Sequence, residues 1–204
     1  MTGMETITID TARGPARVDV DRPAAASVSL LVLGHGAGGG VDAPDLVALR
    51  DAACAAGVTV ARVTQPYRVA GRRAPAPAGH LDEAFTGVVR RLRADHPGPL
   101  LLGGRSSGSR VACRTARELG ATAIVALAFP LHPPGKPDRS RAPELETGLP
   151  TLVVNGDRDA FGVPEPSGAV TVRIRPGETH DLRRDPAGIA AEVVAWLRAN
   201  GWAN

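Results

Sequence analysis

Aromatic residues are scarce: Trp, Tyr and Phe together make up 3% of the 204 residues. The core must therefore be built from Val, Leu and Ala, and few rings are left to stack on bases, which argues against a nucleic-acid partner. No apolar run approaches the ~18 residues that a spanning helix needs, and the opening METITIDTARG has no basic stretch followed by an apolar one. A soluble, cytoplasmic protein without a membrane partner is expected. Cysteine is almost absent as well. Cys54 and Cys113 fall in segments that read as buried helices, so free thiols are expected rather than a disulfide. Neither sign of charge dominates: 24 Lys and Arg against 21 Asp and Glu leave a slim excess of +3, not a basic tract. With no G-x-x-x-x-G-K-[ST] and no clustered Cys/His spacing, neither a P-loop nor a zinc site is predicted, and no cofactor is expected.

The chain does carry regular alternation. A hydrophobic fraction of 43% and a charged fraction of 22% are those of a globular protein, and one domain over residues 1–204 is expected. Two short alternating runs, Glu5–Ile9 and Ala16–Val20, flank Gly14-Pro15 and read as a leading hairpin. Then the pattern changes. Ser27–Leu33, Val58–Val63, Pro99–Leu102, Ala123–Ala128, Thr151–Val154 and Val170–Ile174 are short, nearly unbroken apolar runs, which suit strands covered on both faces of a parallel sheet.

Helical segments separate the runs. Asp42 stands as a candidate N-cap before Leu46, Leu49, Ala53 and Gly57; Leu81, Phe85, Val88 and Leu92 share one helical face; Asp185-Pro186 opens a helix with Ile189, Val193 and Leu197 on one side. The fold class is α/β with a mainly parallel sheet, and a ligand site is expected beyond the carboxyl ends of the strands. The proline-rich, basic stretch Phe129–Pro150 is too short for a separate cap domain.

The sharpest local signal is Gly104-Arg105-Ser106-Ser107-Gly108, which begins as the Pro99–Leu102 run ends and leads into a helical segment, Ser109–Leu119. A serine at the centre of such a strand–turn–helix sits on a tight, strained turn, and side chains two positions either side would collide with it or with the neighbouring strand. Ser106 is the candidate nucleophile. Five histidines could serve it: His35, His80, His96, His132 and His180. In this arrangement the chain order is nucleophile, acid, histidine, with the histidine after the last strand, which selects His180. The acid should follow the preceding strand, where Asn155-Gly156-Asp157-Arg158-Asp159 offers two carboxylates. Asp159 is the better placed to turn back toward His180, while Asp157 suits a turn cap. Its role would be to accept from Nδ1 of His180 and fix the tautomer.

Gly34-His35-Gly36-Ala37-Gly38-Gly39-Gly40 follows the Ser27–Leu33 run, where an oxyanion donor is expected; the candidates are the backbone N–H groups of Ala37 and Ser107. Gly34-x-Gly36-x-x-Gly39 also matches a dinucleotide fingerprint. Against that reading, no acidic residue ends the Val58–Val63 run to hold a ribose. Basic residues at Arg68, Arg72 and Arg73, and at Lys136, Arg139 and Arg141, fall in loops expected at the same edge. They read either as a positive mouth for a compact acidic substrate or as solvated charges.

With these residues on the page, the sequence resembles the small, lid-less α/β-hydrolases related to dienelactone hydrolase. Within them it is similar to a branch, the testis-expressed hydrolase-like proteins among it, marked by HGAG, GGRSxGxR, PLHPPGKP and GxRDxFG, here His35–Gly38, Gly103–Arg110, Pro130–Pro137 and Gly156–Gly162. The resemblance implies an α/β-hydrolase fold, hydrolysis of a small ester, thioester or lactone, Ser106, Asp159 and His180 as triad, and Ala37 with Ser107 as oxyanion donors. Ser107 departs from the Met usual at its position. Some members of the branch could instead be non-catalytic interaction modules, since a fold by itself does not carry an activity.

Overall fold

The computed structural model describes residues 3–204. Eight strands form one sheet in the order β1-β2-β4-β3-β5-β6-β7-β8. The chain opens with the expected antiparallel hairpin, β1 (Met4–Thr11) and β2 (Gly14–Asp21), and β2 pairs antiparallel with β4 (Val58–Thr64). From β4 onward every pairing is parallel, through β3 (Ser29–Gly34), β5 (Leu100–Arg105), β6 (Ala123–Leu127), β7 (Thr151–Gly156) and β8 (Val170–Arg175). The helices are α1 (Pro44–Ala55), α2 (Pro66–Val69), α3 (Ala78–Arg93), α4 (Ser107–Thr115) and α5 (Pro186–Ala199).

The unbroken apolar runs are explained by burial on both sides of the sheet. Along β3, Leu30 and Val32 point to a core shared with α3 and α4, and Leu31 and Leu33 to a second core shared with α1 and α5. The first is filled by Phe85, Val88, Leu92 and Val111, the second by Leu46, Leu49, Ile189, Val193 and Leu197. Each fully buried Leu or Val contributes about 1.5–3 kcal/mol relative to exposure, which a one-face sheet could not collect from consecutive residues. Both cysteines are free and buried, Cys54 in the α1 core and Cys113 in the α4 core.

Two helix starts differ from expectation. Asp42 does not cap α1: the N-cap is Ala43, without a side-chain hydrogen bond, and Pro44 opens the helix. Proline forces the residue before it into an extended conformation, here φ −56°, ψ 136°, and its missing N–H leaves less for a cap to satisfy. Asp185 does cap α5, accepting from Gly188 N–H at 2.9 Å. The other difference is α4, which begins at Ser107, two residues earlier than predicted.

The neighbouring strands β3 and β5 send their following helices to opposite faces, since α1 packs in one core and α4 in the other. Their carboxyl ends therefore diverge and leave a crevice, the topological switch point where α/β sheets bind ligands. The glycine-rich loop after β3 and the serine turn after β5 lie there.

Candidate active site

The turn after β5 explains its own glycines. Ser106 adopts φ 53°, ψ −114°, a conformation L-residues avoid, at a cost of about 1–3 kcal/mol. The turn is held because β3 runs against it: a Cβ on Gly108 would lie 2.3 Å from the Gly34 carbonyl oxygen, and one on Gly104 2.5 Å from the same atom. Both positions must lack a side chain for the serine to stand at the crevice. Ser109 Oγ in turn donates to the Ser106 carbonyl at 2.7 Å.

His180, in the loop between β8 and α5, places Nε2 2.9 Å from Ser106 Oγ. Its Nδ1 lies 2.8 Å from Asp159 Oδ2. Asp159 is well anchored: Oδ1 accepts from Phe161 N–H at 2.8 Å, Oδ2 accepts also from Asn155 Nδ2 at 3.2 Å, and its side chain is wholly buried. Asn155, at the end of β7, is itself locked, accepting from Phe129 N–H and donating to Phe129 O. The Phe161 ring stacks on the imidazole at 4.1 Å. Asp157 is elsewhere: exposed, it accepts from Gly177 N–H at 2.7 Å and caps the turn that carries the histidine loop. An imidazole that accepts from a hydroxyl on one side and donates to a buried carboxylate on the other is arranged to take a proton from the serine.

Ala37 lies in the turn after β3 and Ser107 opens α4. Among the described residues, neither N–H donates to another group of the chain, so both remain available as donors. Tyr67 Oη donates to the Ala37 carbonyl at 2.7 Å and fixes that peptide. His35 braces the loop from below as a neutral imidazole: Nδ1 donates to the Gly36 carbonyl, and Nε2 accepts from Gln65 N–H at 3.2 Å. Burial holds its pKa below the usual histidine value. It is a structural histidine; His80 is exposed, and His132 lies against Gly162.

Space around the serine turn is small. A niche of about 10 Å³, the size of one water, is lined by Gly34, His35, Gln65, Tyr67, Ser107 and Val111. A second cleft of about 210 Å³ runs beside Arg105 and is bordered by Asp42, Asp181 and Arg183. The charges there are mixed, not uniformly positive. Arg72 lines a different cleft, with Arg13 and His80, on the far side of Gln65 and Tyr67, and Lys136 and Arg139 are exposed. A larger cavity, about 500 Å³, lies between the segment around Leu145 and the loop before β8, and none of Ser106, Asp159 or His180 lines it.

An eight-stranded, mainly parallel sheet with a serine on a strained turn at the switch point, and a histidine within hydrogen-bond reach, defines the α/β-hydrolase class. The chain belongs to this family: the alpha/beta hydrolase domain matches residues 27–182. Among solved structures it is similar to a lid-less α/β serine hydrolase of Xanthomonas campestris, with 22% identity over 96% of this chain and 94% of the other and a TM-score of 0.78. It is also similar to an α/β serine hydrolase homologue from Coxiella burnetii (21% identity, 98% of both chains, TM-score 0.76). A dienelactone hydrolase from Anabaena variabilis aligns over 97% of this chain and 98% of its own, with 17% identity and a TM-score of 0.76. No curated protein matches the chain. No helix among the described residues is long and apolar enough to cross a membrane.

Proposed function

We propose that the protein is a serine hydrolase that cleaves a small ester, thioester or lactone. The observation that carries the reading is the unbroken relay from Ser106 Oγ through His180, at 2.9 and 2.8 Å, to the buried Asp159 carboxylate. Ser106 Oγ attacks the acyl carbon while Nε2 of His180 takes the hydroxyl proton. Asp159 keeps Nδ1–H in place and stabilises the imidazolium. The negative oxygen of the tetrahedral intermediate accepts from the N–H groups of Ala37 and Ser107. Collapse breaks the bond to the leaving group, which receives the proton from Nε2, and leaves an acyl-Ser106. Water then repeats the sequence and releases the acid, so atoms and protons balance without a cofactor.

The small niche beside Ser107, and a Phe129–Pro150 segment whose one regular element is the short 3-10 turn Ala142–Leu145, support a compact acyl group over a long chain. The same reading has one domain acting over residues 1–204 in the cytoplasm, without a nucleic-acid or membrane partner, and places the chain in the branch marked by the His35–Gly38 and Pro130–Pro137 blocks.

A fluorophosphonate probe tests it. Wild-type protein should be labelled covalently, and Ser106→Ala should not. Failure of the folded wild-type protein to label would sink the hydrolase reading and leave an interaction module on a hydrolase scaffold.

A further inference from the structure

Arg105 has no part in the relay, yet it bonds both the His180 loop and the first turn of α1. It ends β5 beside Ser106, and its side chain is 13% exposed. Its Nη2 donates to the His180 carbonyl at 3.0 Å and to Asp181 Oδ1 at 3.1 Å. Its Nε lies 3.0 Å from Oδ2 of Asp45, in the first turn of α1, as an ion pair without hydrogen-bond alignment. Its Nη1 also lies close to the loop that carries Ala37, 3.2 Å from where a Cβ on Gly36 would stand.

The buried partner is costly to keep. Asp45 is fully buried, and burial pushes its carboxyl pKa up while Arg105 pulls it down. A charged pair in such a place is weak evidence for stability, because an apolar pair of similar volume often does as well. Its geometry has another use. The histidine turn is strained: Leu182, two residues after His180, is buried at φ 48°, outside the range favoured by non-glycine residues. Strained turns persist only where surroundings over-determine them. Leu182 anchors this turn in the α1–α5 core, and Arg105 holds it from the sheet side by the carbonyl of the catalytic histidine candidate itself. The rigid fork lets one guanidinium hold the His180 loop and α1 at once, in a fixed geometry that a compact ammonium does not reproduce.

We propose that Arg105 is a positioning residue that clamps the His180 turn to the serine turn, so that Nε2 meets Ser106 Oγ at bonding distance. The kinetic part rests on the hydrolase reading above; the positional part does not.

The test compares wild type, Arg105→Lys, and the double variant Asp45→Asn with Arg105→Gln, which removes both buried charges together. For hydrolysis of 4-nitrophenyl acetate, kcat should fall roughly 10- to 100-fold, the cost of about 1 Å of misplacement, while KM stays within about twofold. In proton NMR, the downfield resonance of His180 Nδ1–H should broaden or disappear in the double variant. A lost resonance and a reduced kcat in a folded protein support the clamp. Wild-type kcat together with an unmoved resonance overturns it. If the wild-type protein is inactive, the hydrolase reading has failed, and the resonance alone decides on the clamp. If the double variant does not fold, Arg105→Lys decides: it keeps a cation against Asp45 but loses the fork, and wild-type kcat in that variant would refute the proposal.

Discussion

Exchanging Asp159 for Asn changes one atom and, on the proposed reading, should nearly abolish ester hydrolysis. Oδ1 of Asp159 accepts from Phe161 N–H, while Oδ2 faces two donors, Nδ1 of His180 and Nδ2 of Asn155. An amide has one acceptor oxygen and one NH2 donor. With the oxygen toward Phe161, the NH2 meets Asn155 Nδ2 and the imidazole, so two donors confront a third. With the amide flipped, it meets the Phe161 N–H. The imidazole can relieve the conflict only by moving its proton to Nε2, and in that tautomer it cannot accept from Ser106. The expected loss in kcat is about 10⁴-fold, or about 5 kcal/mol of barrier, the size found when the corresponding acid of a serine protease is amidated. Asp157→Asn is the matched control. Its Oδ1 receives only the Gly177 N–H, a bond that an amide oxygen can also accept, so kcat should change by less than about threefold. Steady-state hydrolysis of a chromogenic acetate ester, with circular dichroism to check folding, measures both. Equal losses, or a larger one at Asp157, would show that the buried carboxylate is not the group that sets the tautomer.

Two further outcomes follow from the same region. His35 is buried as the neutral form, with its pKa depressed below 6.5, so the unfolded state binds the extra proton as pH falls through that value. Its contribution to stability is present above about pH 6.5 and is lost below it, with a slope approaching 1.4 kcal/mol per pH unit. Denaturant midpoints from pH 7.5 to 5.5 should show this decline in wild type and lose most of it in His35→Gln; parallel curves would refute the assignment. Gly108→Ala places a methyl 2.3 Å from the Gly34 oxygen, and the elbow must retreat by about 1 Å. A destabilisation of about 1–3 kcal/mol and a fall in kcat of up to ~10²-fold are expected, and unchanged values in both would contradict the close approach.

The strands were legible in the sequence to within a few residues because burial on both faces leaves runs such as Leu30–Leu33 with no polar interruption. Ser106, Asp159 and His180 could be grouped from chain order, and their side chains meet in the structure. Asp157 and Asp159 could be separated only by expected direction, since both lie within three residues of Gly156. The choice became geometric once the turn was seen to bury one and expose the other. Arg105 and Phe161 fell inside the quoted blocks and Asn155 beside one, but nothing local showed their roles. Asn155 works through Phe129, 26 positions away, and Arg105 through Asp45 and His180, 60 and 75 positions away, so no period or spacing reveals what they do. Asp42 was misread because α1 opens at Pro44, which puts Ala43 and not Asp42 at the N-cap position.

The two free thiols offer a way to watch the molecule open. Burial pushes Cys54 up to about 11 and Cys113 up to about 12, so in the native fold neither is a thiolate near neutral pH and both are shielded from reagent. Loss of activity under a thiol-directed reagent would therefore time an opening event rather than report a reactive group in the crevice. Because the cysteines sit on opposite sides of the sheet, they are two separate clocks in one chain: different labelling rates mean that the layers come apart independently, and a shared rate means that they open as one.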